Sequence, residues 1–146
     1  MGNILEDKHA IEELIARYNQ SLDSGNYEAW LACWADDAVF DGLGKVLTGI
    51  QAIRGFADGY EVGYRQRLHA LKHYTVNILS LIDGNRATSS SYVQLTTLSD
   101  QGVRILLTGR YEDELKRIDR RWRFARRKLH QDFPQPTQPA QTAAAG

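Results

Sequence analysis

Tyr18 and Asp23 close the first amphipathic segment, His73 opens an apolar run, and Trp122, Phe124 and Arg126 alternate near the end of the chain. An imidazole titrates near pH 6.5 and a neighbouring carboxylate shifts it, so the chemistry in view is general acid/base catalysis. Other catalytic signatures are missing. Ser89, Ser90 and Ser91 fall inside a strand-like stretch without a GxSxG elbow. His69 and His73 are four apart, but no HExxH motif, cysteine pair or evident third carboxylate ligand accompanies them, so no metal is expected. Gly42 and Gly44 precede no phosphate-loop lysine, and no cofactor is expected.

The elements that must position these groups begin with a helix over Asp7 to Ser24. Ile11, Leu14, Ile15, Tyr18 and Leu22 recur at its period, which turns Tyr18 toward the core or a cavity. Asp23 lies in the last turn, where the helix end disfavours a carboxylate, and Gly25 beyond it suits a left-handed cap. An ideal helix carries Asp23 about 100° from the centre of the apolar stripe. A solvent-exposed terminal aspartate is therefore the competing reading.

Asn26 caps a second short helix marked by Tyr27, Trp30, Leu31 and Trp34, and Ile50, Ile53, Phe56 and Tyr60 mark a third. Short strands at Ala38 to Asp41 and Lys45 to Leu47 lie between them. Four long strands follow, His73 to Ile82, Arg86 to Leu98, Val103 to Ile118 and Trp122 to Leu129, joined by short turns. Helices first and a meander afterwards predict an α+β domain with helices over one face of an antiparallel sheet.

Period two places His73, Thr75, Asn77, Leu79 and Leu81 on one face of their strand. Its two faces are both apolar, which predicts a central strand. A structural, fully satisfied histidine is the competing reading for His73. In the last strand Trp122, Phe124 and Arg126 share a face, which directs Arg126 inward. A buried arginine needs an anion, and Asp113, on a face with Tyr111 and Leu115, is the candidate.

Lys plus Arg and Asp plus Glu each number 18, so zero formal net charge gives no long-range pull toward a polyanion, and no nucleic-acid partner is expected. The single Cys33, set between Trp30 and Trp34, reads as a small buried apolar residue. No apolar run resembles a signal peptide or a membrane span, so a soluble, cytoplasmic protein is expected. Residues 1–133 read as one domain, and Pro134, Pro136 and Pro139 place residues 134–146 in a flexible tail.

The ordered set IEELIARYNQSLDSGNYEAWLACWADDAVFD, TGIQAIRGF, HYTVN, the DGN turn, GRYEDELKR and WRFARR resembles the SnoaL-like branch of the nuclear transport factor 2-like superfamily. The resemblance spans about residues 7 to 133. It implies a cone-shaped barrel in which three N-terminal helices and a strongly curved, mainly antiparallel sheet enclose an apolar pocket. Scytalone dehydratase, bile-acid 7α-dehydratase and hexachlorocyclohexane dehydrochlorinase in that superfamily remove a proton with a histidine paired to an aspartate of the first helix. Asp23 and His73 resemble that pair.

The resemblance further implies that Tyr18 bonds the substrate or leaving oxygen, that Arg126 stabilises negative charge, and that Trp30, Tyr111, Asp113 and Phe124 line the substrate site. The second histidine of scytalone dehydratase and the aspartate bases of ketosteroid isomerases have no clear counterpart, which disfavours those two activities. The expected function is a lyase or isomerase acting on a small hydrophobic cyclic molecule. The alternatives are a non-catalytic binding or assembly module, like the small subunit of ring-hydroxylating dioxygenases, and an epoxide hydrolase. A homo-oligomer, trimer or dimer, is expected through the outer face of the sheet.

Overall fold

The computed structural model describes residues 3–132. Along the chain it has α1 (Ile4–Ser24), α2 (Tyr27–Leu31), β1 (Trp34–Gly42), β2 (Lys45–Thr48) and α3 (Ile50–Tyr60), which runs into one π-helical turn (Glu61–Arg65). β3 (His69–Asp83), β4 (Arg86–Ser99), β5 (Gly102–Ile118) and β6 (Arg121–Gln131) complete the α+β fold. The expected tail at 134–146 lies outside the described residues.

Local chemistry sets the helix ends. Asn3 Oδ1 accepts from the Leu5 N–H at 2.9 Å at the start of α1, and Gly25 ends it in the left-handed region at φ 77°. Asn26 then caps α2 by accepting from the Ala29 N–H at 3.2 Å. The buried side of α1 carries Ile11, Leu14, Ile15, Tyr18 and Leu22, the stripe its sequence period marks.

The strands form one sheet in the order β2-β1-β6-β5-β4-β3, antiparallel throughout except for the parallel β1/β6 pair. It does not close, so β3 is an edge strand and not the central strand expected from its two apolar faces. The outer of those faces is simply exposed, at Tyr74, Val76, Leu79 and Leu81. α1 lies across the inner face against β3 and β6.

Two irregularities re-aim the inner face. Asn77 takes a positive φ of 55° where the β3/β4 register shifts, so Ile78 and Ile82 pack toward the core while Leu79 and Leu81 face outward. The alternation expected through Asn77, Leu79 and Leu81 therefore breaks. In β6 the register shifts between Arg126 and Phe124, which leaves Ala125 as the extra residue of a bulge.

The core between helices and sheet is strongly aromatic. Tyr18 meets Phe124 edge-on at 5.4 Å and 76°, and Trp30 meets Trp34 at 5.7 Å and 77°. Such pairs add about 0.5–1.5 kcal/mol each beyond the area they bury.

Candidate active site

α1 is fastened to β3 by successive polar contacts. Lys8 Nζ donates to the Ser80 carbonyl, Asn19 Nδ2 donates to Thr75 Oγ1 at 2.9 Å, and Asp23 reaches His73. Helical spacing puts Asn19 and Asp23 one turn apart, and strand spacing puts Thr75 and His73 on the same face.

Asp23 grips His73 at two points. Its Oδ1 lies 2.6 Å from the imidazole Nδ1, and its Oδ2 accepts from the His73 backbone N–H at 2.9 Å. An ionised carboxylate only accepts, so Nδ1 carries the proton and Nε2 is left with a lone pair. Among the described residues Nε2 has no hydrogen-bond partner. The His73 and Asp23 side chains are 8% and 16% exposed, so the competing reading of a solvent-facing aspartate does not describe Asp23.

Arg127, and not Arg126, is the inward arginine. The bulge at Ala125 shifts the phase of β6, so Arg126 stands on the outer face with its guanidinium 3.0 Å from Asp41. Arg127 is fully buried and donates through Nε to Asp113 Oδ1 at 3.0 Å and through Nη2 to Oδ2 at 3.4 Å. Its guanidinium carbon sits 4.3 Å from the Tyr18 ring, 3.5 Å from Tyr111 and 4.4 Å from Phe124. Trp30 packs on Tyr18 at 5.6 Å, so the sequence-derived residues Tyr18, Trp30, Tyr111, Asp113 and Phe124 do gather, but around a different arginine.

Burial dominates the electrostatics of this centre. It pushes the Tyr18 hydroxyl well up, with Tyr111 adding and Arg127 opposing, and it pushes the Tyr111 hydroxyl up against Arg127. Burial also raises the Tyr60 hydroxyl, and the Asp23 carboxylate adds to that shift. All three remain protonated donors at neutral pH. Asp113 is pushed up to about 6 by burial, opposed by Arg127 and by the Ser89 hydroxyl, which donates at 3.3 Å.

Sequence reasoning missed Arg127, Tyr60 and Ser91. The Arg127 Nη1, the Tyr60 hydroxyl, the Ser91 hydroxyl and the Trp30 Nε1 are buried without a partner among the described residues. A buried donor left unpaired costs about 1–3 kcal/mol, so a ligand oxygen would gain by meeting one. Counting back from the buried Leu129 in steps of two would have placed Arg127 inward. Tyr60 and Ser91 carry no such signal in the sequence.

Open clefts lie on the outer face around Tyr74, Gln94 and Ile105 and around Leu81, Ser90 and Arg126, and beside α1 around Glu13 and Arg17; neither Asp23 nor His73 lines them. The epoxide-hydrolase alternative requires two acids about an arginine, and among the described residues Asp113 is the one acid paired with Arg127. No group of three or more His, Cys, Asp or Glu among the described residues is placed to hold a metal ion. No described helix is long and apolar enough to cross a membrane.

Solved structures repeat this architecture. One is a point-substituted form of a Mycobacterium tuberculosis protein of unknown function, at 31% identity and a TM-score of 0.80, covering 93% of this chain and 82% of that one. A Novosphingobium aromaticivorans protein provisionally described as a scytalone dehydratase aligns at 24% identity and a TM-score of 0.76, covering 88% of this chain and 86% of that one. The beta subunit of a provisionally assigned aromatic-ring-hydroxylating dioxygenase from the same organism aligns at 16% identity and a TM-score of 0.75, covering 91% and 94%. The last two establish a shared fold alone. No curated protein matches the sequence. The match to the SnoaL-like domain runs over residues 3–128, and with the helices and curved sheet described above it places the chain in the SnoaL-like family.

Proposed function

We propose that the protein is a cofactor-independent lyase or isomerase, dehydratase-like, that acts on a small hydrophobic cyclic substrate. The observation that carries this reading is the two-point contact of Asp23 with His73, at 2.6 Å to the ring and 2.9 Å to the backbone. The carboxylate holds Nδ1 protonated, which leaves Nε2 as the base that takes a proton from carbon, and it stabilises the imidazolium that forms. Tyr18 donates to a substrate or leaving oxygen. Arg127, with its spare Nη1 donor, takes the charge-stabilising role expected of Arg126.

General acid/base catalysis supplies about 10²–10⁴-fold, so the substrate must carry an already acidic proton or a good leaving group. Cyclic β-hydroxy ketones meet that demand. A screen of such compounds should give turnover with the native protein that falls by about 10²–10⁴-fold in His73→Ala. Full activity in His73→Ala on an identified substrate would sink the reading.

A second reading, hydrophobic-ligand binding or assembly without turnover, draws support from the apolar outer face. Leu79, Leu81, Val103 and Ile105 there are 57–77% exposed. We propose that this face is buried in a homo-oligomer, a trimer or a dimer. Light scattering on the eluting protein would test it, and a monomer at micromolar concentration would refute it.

A further inference from the structure

The last turn of α1 has an electrostatic problem that another element answers. Asp23 sets a carboxylate at the negative end of the helix, which costs about 0.3–1 kcal/mol, and the last turn holds no basic residue. The missing cation comes from the π-helical turn after α3. Arg65 Nη1 donates to the backbone carbonyl of Asp23 at 2.8 Å.

The guanidinium is itself held. Arg65 Nε donates to Glu61 Oε2 at 3.0 Å, and the Tyr27 hydroxyl donates to the same oxygen at 2.5 Å. The π turn, closed by the Gln66 N–H on the Glu61 carbonyl at 3.0 Å, keeps Glu61 and Arg65 in contact. Gly25 gives Arg65 its seat, because a Cβ there would lie 2.7 Å from Arg65 Nε. The same stretch also covers the imidazole: Tyr60 lies 6.3 Å from the His73 ring and stacks on Tyr64 at 5.4 Å and 15°.

We infer that Arg65, braced by Glu61 and Tyr27, is a positioning residue that fixes the Asp23 peptide and through it the tautomer and orientation of His73. The inference rests on Asp23 and His73 being the working pair, but the outcome is read from the pair's geometry and not from turnover. The contact anchors the last turn of α1, so its loss would let that turn fray and shift the Asp23 carboxylate, and misplacement of about 1 Å at a reacting group can cost 10²-fold in rate.

The test is ¹⁵N and ¹H NMR of the His73 ring in the full chain. In the native protein the Nδ1–H tautomer should dominate and its proton, bonded to Asp23, should exchange slowly with water. Arg65→Met should speed that exchange at least about tenfold and mix the tautomers. Arg65→Lys should recover part of the effect. Glu61→Gln, which loosens Arg65 without removing it, should change exchange in the same direction by less and serves where Arg65→Met fails to fold. A contact that is merely structural would lower the denaturation midpoint and leave tautomer and exchange at native values, and that result would overturn the inference. A substrate screen that finds no turnover would count against the proposed function while leaving this readout intact.

Discussion

Asp23 meets His73 where α1 crosses the edge strand β3, and Asp113 meets Arg127 deeper on the same inner face, between β5 and β6. Both are carboxylate contacts, yet they leave different groups free. The imidazole is held through Nδ1 alone, and its Nε2 is uncommitted among the described residues. The guanidinium never deprotonates, is wholly buried and is enclosed by three aromatic rings. The first pair leaves a ring nitrogen uncommitted, which is what the proposed proton transfer needs, whereas the second holds a fixed charge where the core would otherwise exclude one. A buried ion pair seldom adds stability over an apolar pair of the same shape, so this one is weak evidence for stability.

Removing one member of each pair separates the two roles. Arg127→Met strands Asp113 in the core and should cost about 3–5 kcal/mol by denaturant unfolding, whereas Asp113→Leu combined with Arg127→Met should recover most of it. If the double variant is no more stable than the single one, the buried pair is a folding requirement and the contrast fails. His73→Ala should behave oppositely, with a loss of about 10²–10⁴-fold in turnover beside a stability change of only about 1 kcal/mol.

Acid titration sharpens the contrast. The Asp113 carboxyl, followed by its ¹³C resonance, should titrate with a midpoint of about 6. Because this lies above the unfolded value near 3.9, protonation favours the fold. The group's contribution to stability therefore falls by about 1–3 kcal/mol as pH rises from about 4 through about 6, and changes no further above that. A midpoint below 4 would mean that Arg127 outweighs burial. The smallest effect is expected on the outer face, where Arg126→Ala should stay within about 0.5 kcal/mol and leave turnover unchanged, since the Arg126–Asp41 pair is partly exposed.

The Asp23–His73 pair was legible because its parts obey simple periods: a helix that ends at Gly25 and a strand face shared by His73 and Thr75. Turns followed for the same reason, since Asn26 and Gly84 punctuate the chain locally, but Trp34, grouped with the second helix by its spacing from Trp30, opens β1, and β3 begins at His69 rather than His73. The inward arginine was not legible from the residues before it. Trp122 and Phe124 predict Arg126, but the bulge at Ala125 is set by pairing with Glu114 and Leu115 of β5, which the alternation within β6 does not reveal. Asn77 does the same to β3. The edge position of β3 was likewise hidden, because an apolar outer face looks the same in sequence whether a strand or nothing lies beside it. Arg65 reaches Asp23 across 42 positions, and only the folded chain brings them together.

The grip of Asp23 on both the ring and the backbone N–H of one residue has an entropic meaning. A free histidine side chain samples several rotamers about two torsions, and each catalytic encounter would have to select one of them. Here a single carboxylate ties the far end of the side chain to its own main chain, so both torsions are chosen once, when α1 docks on β3. For the proposed reaction, the cost of aiming the base would then be part of the folding free energy and would not recur with each substrate bound.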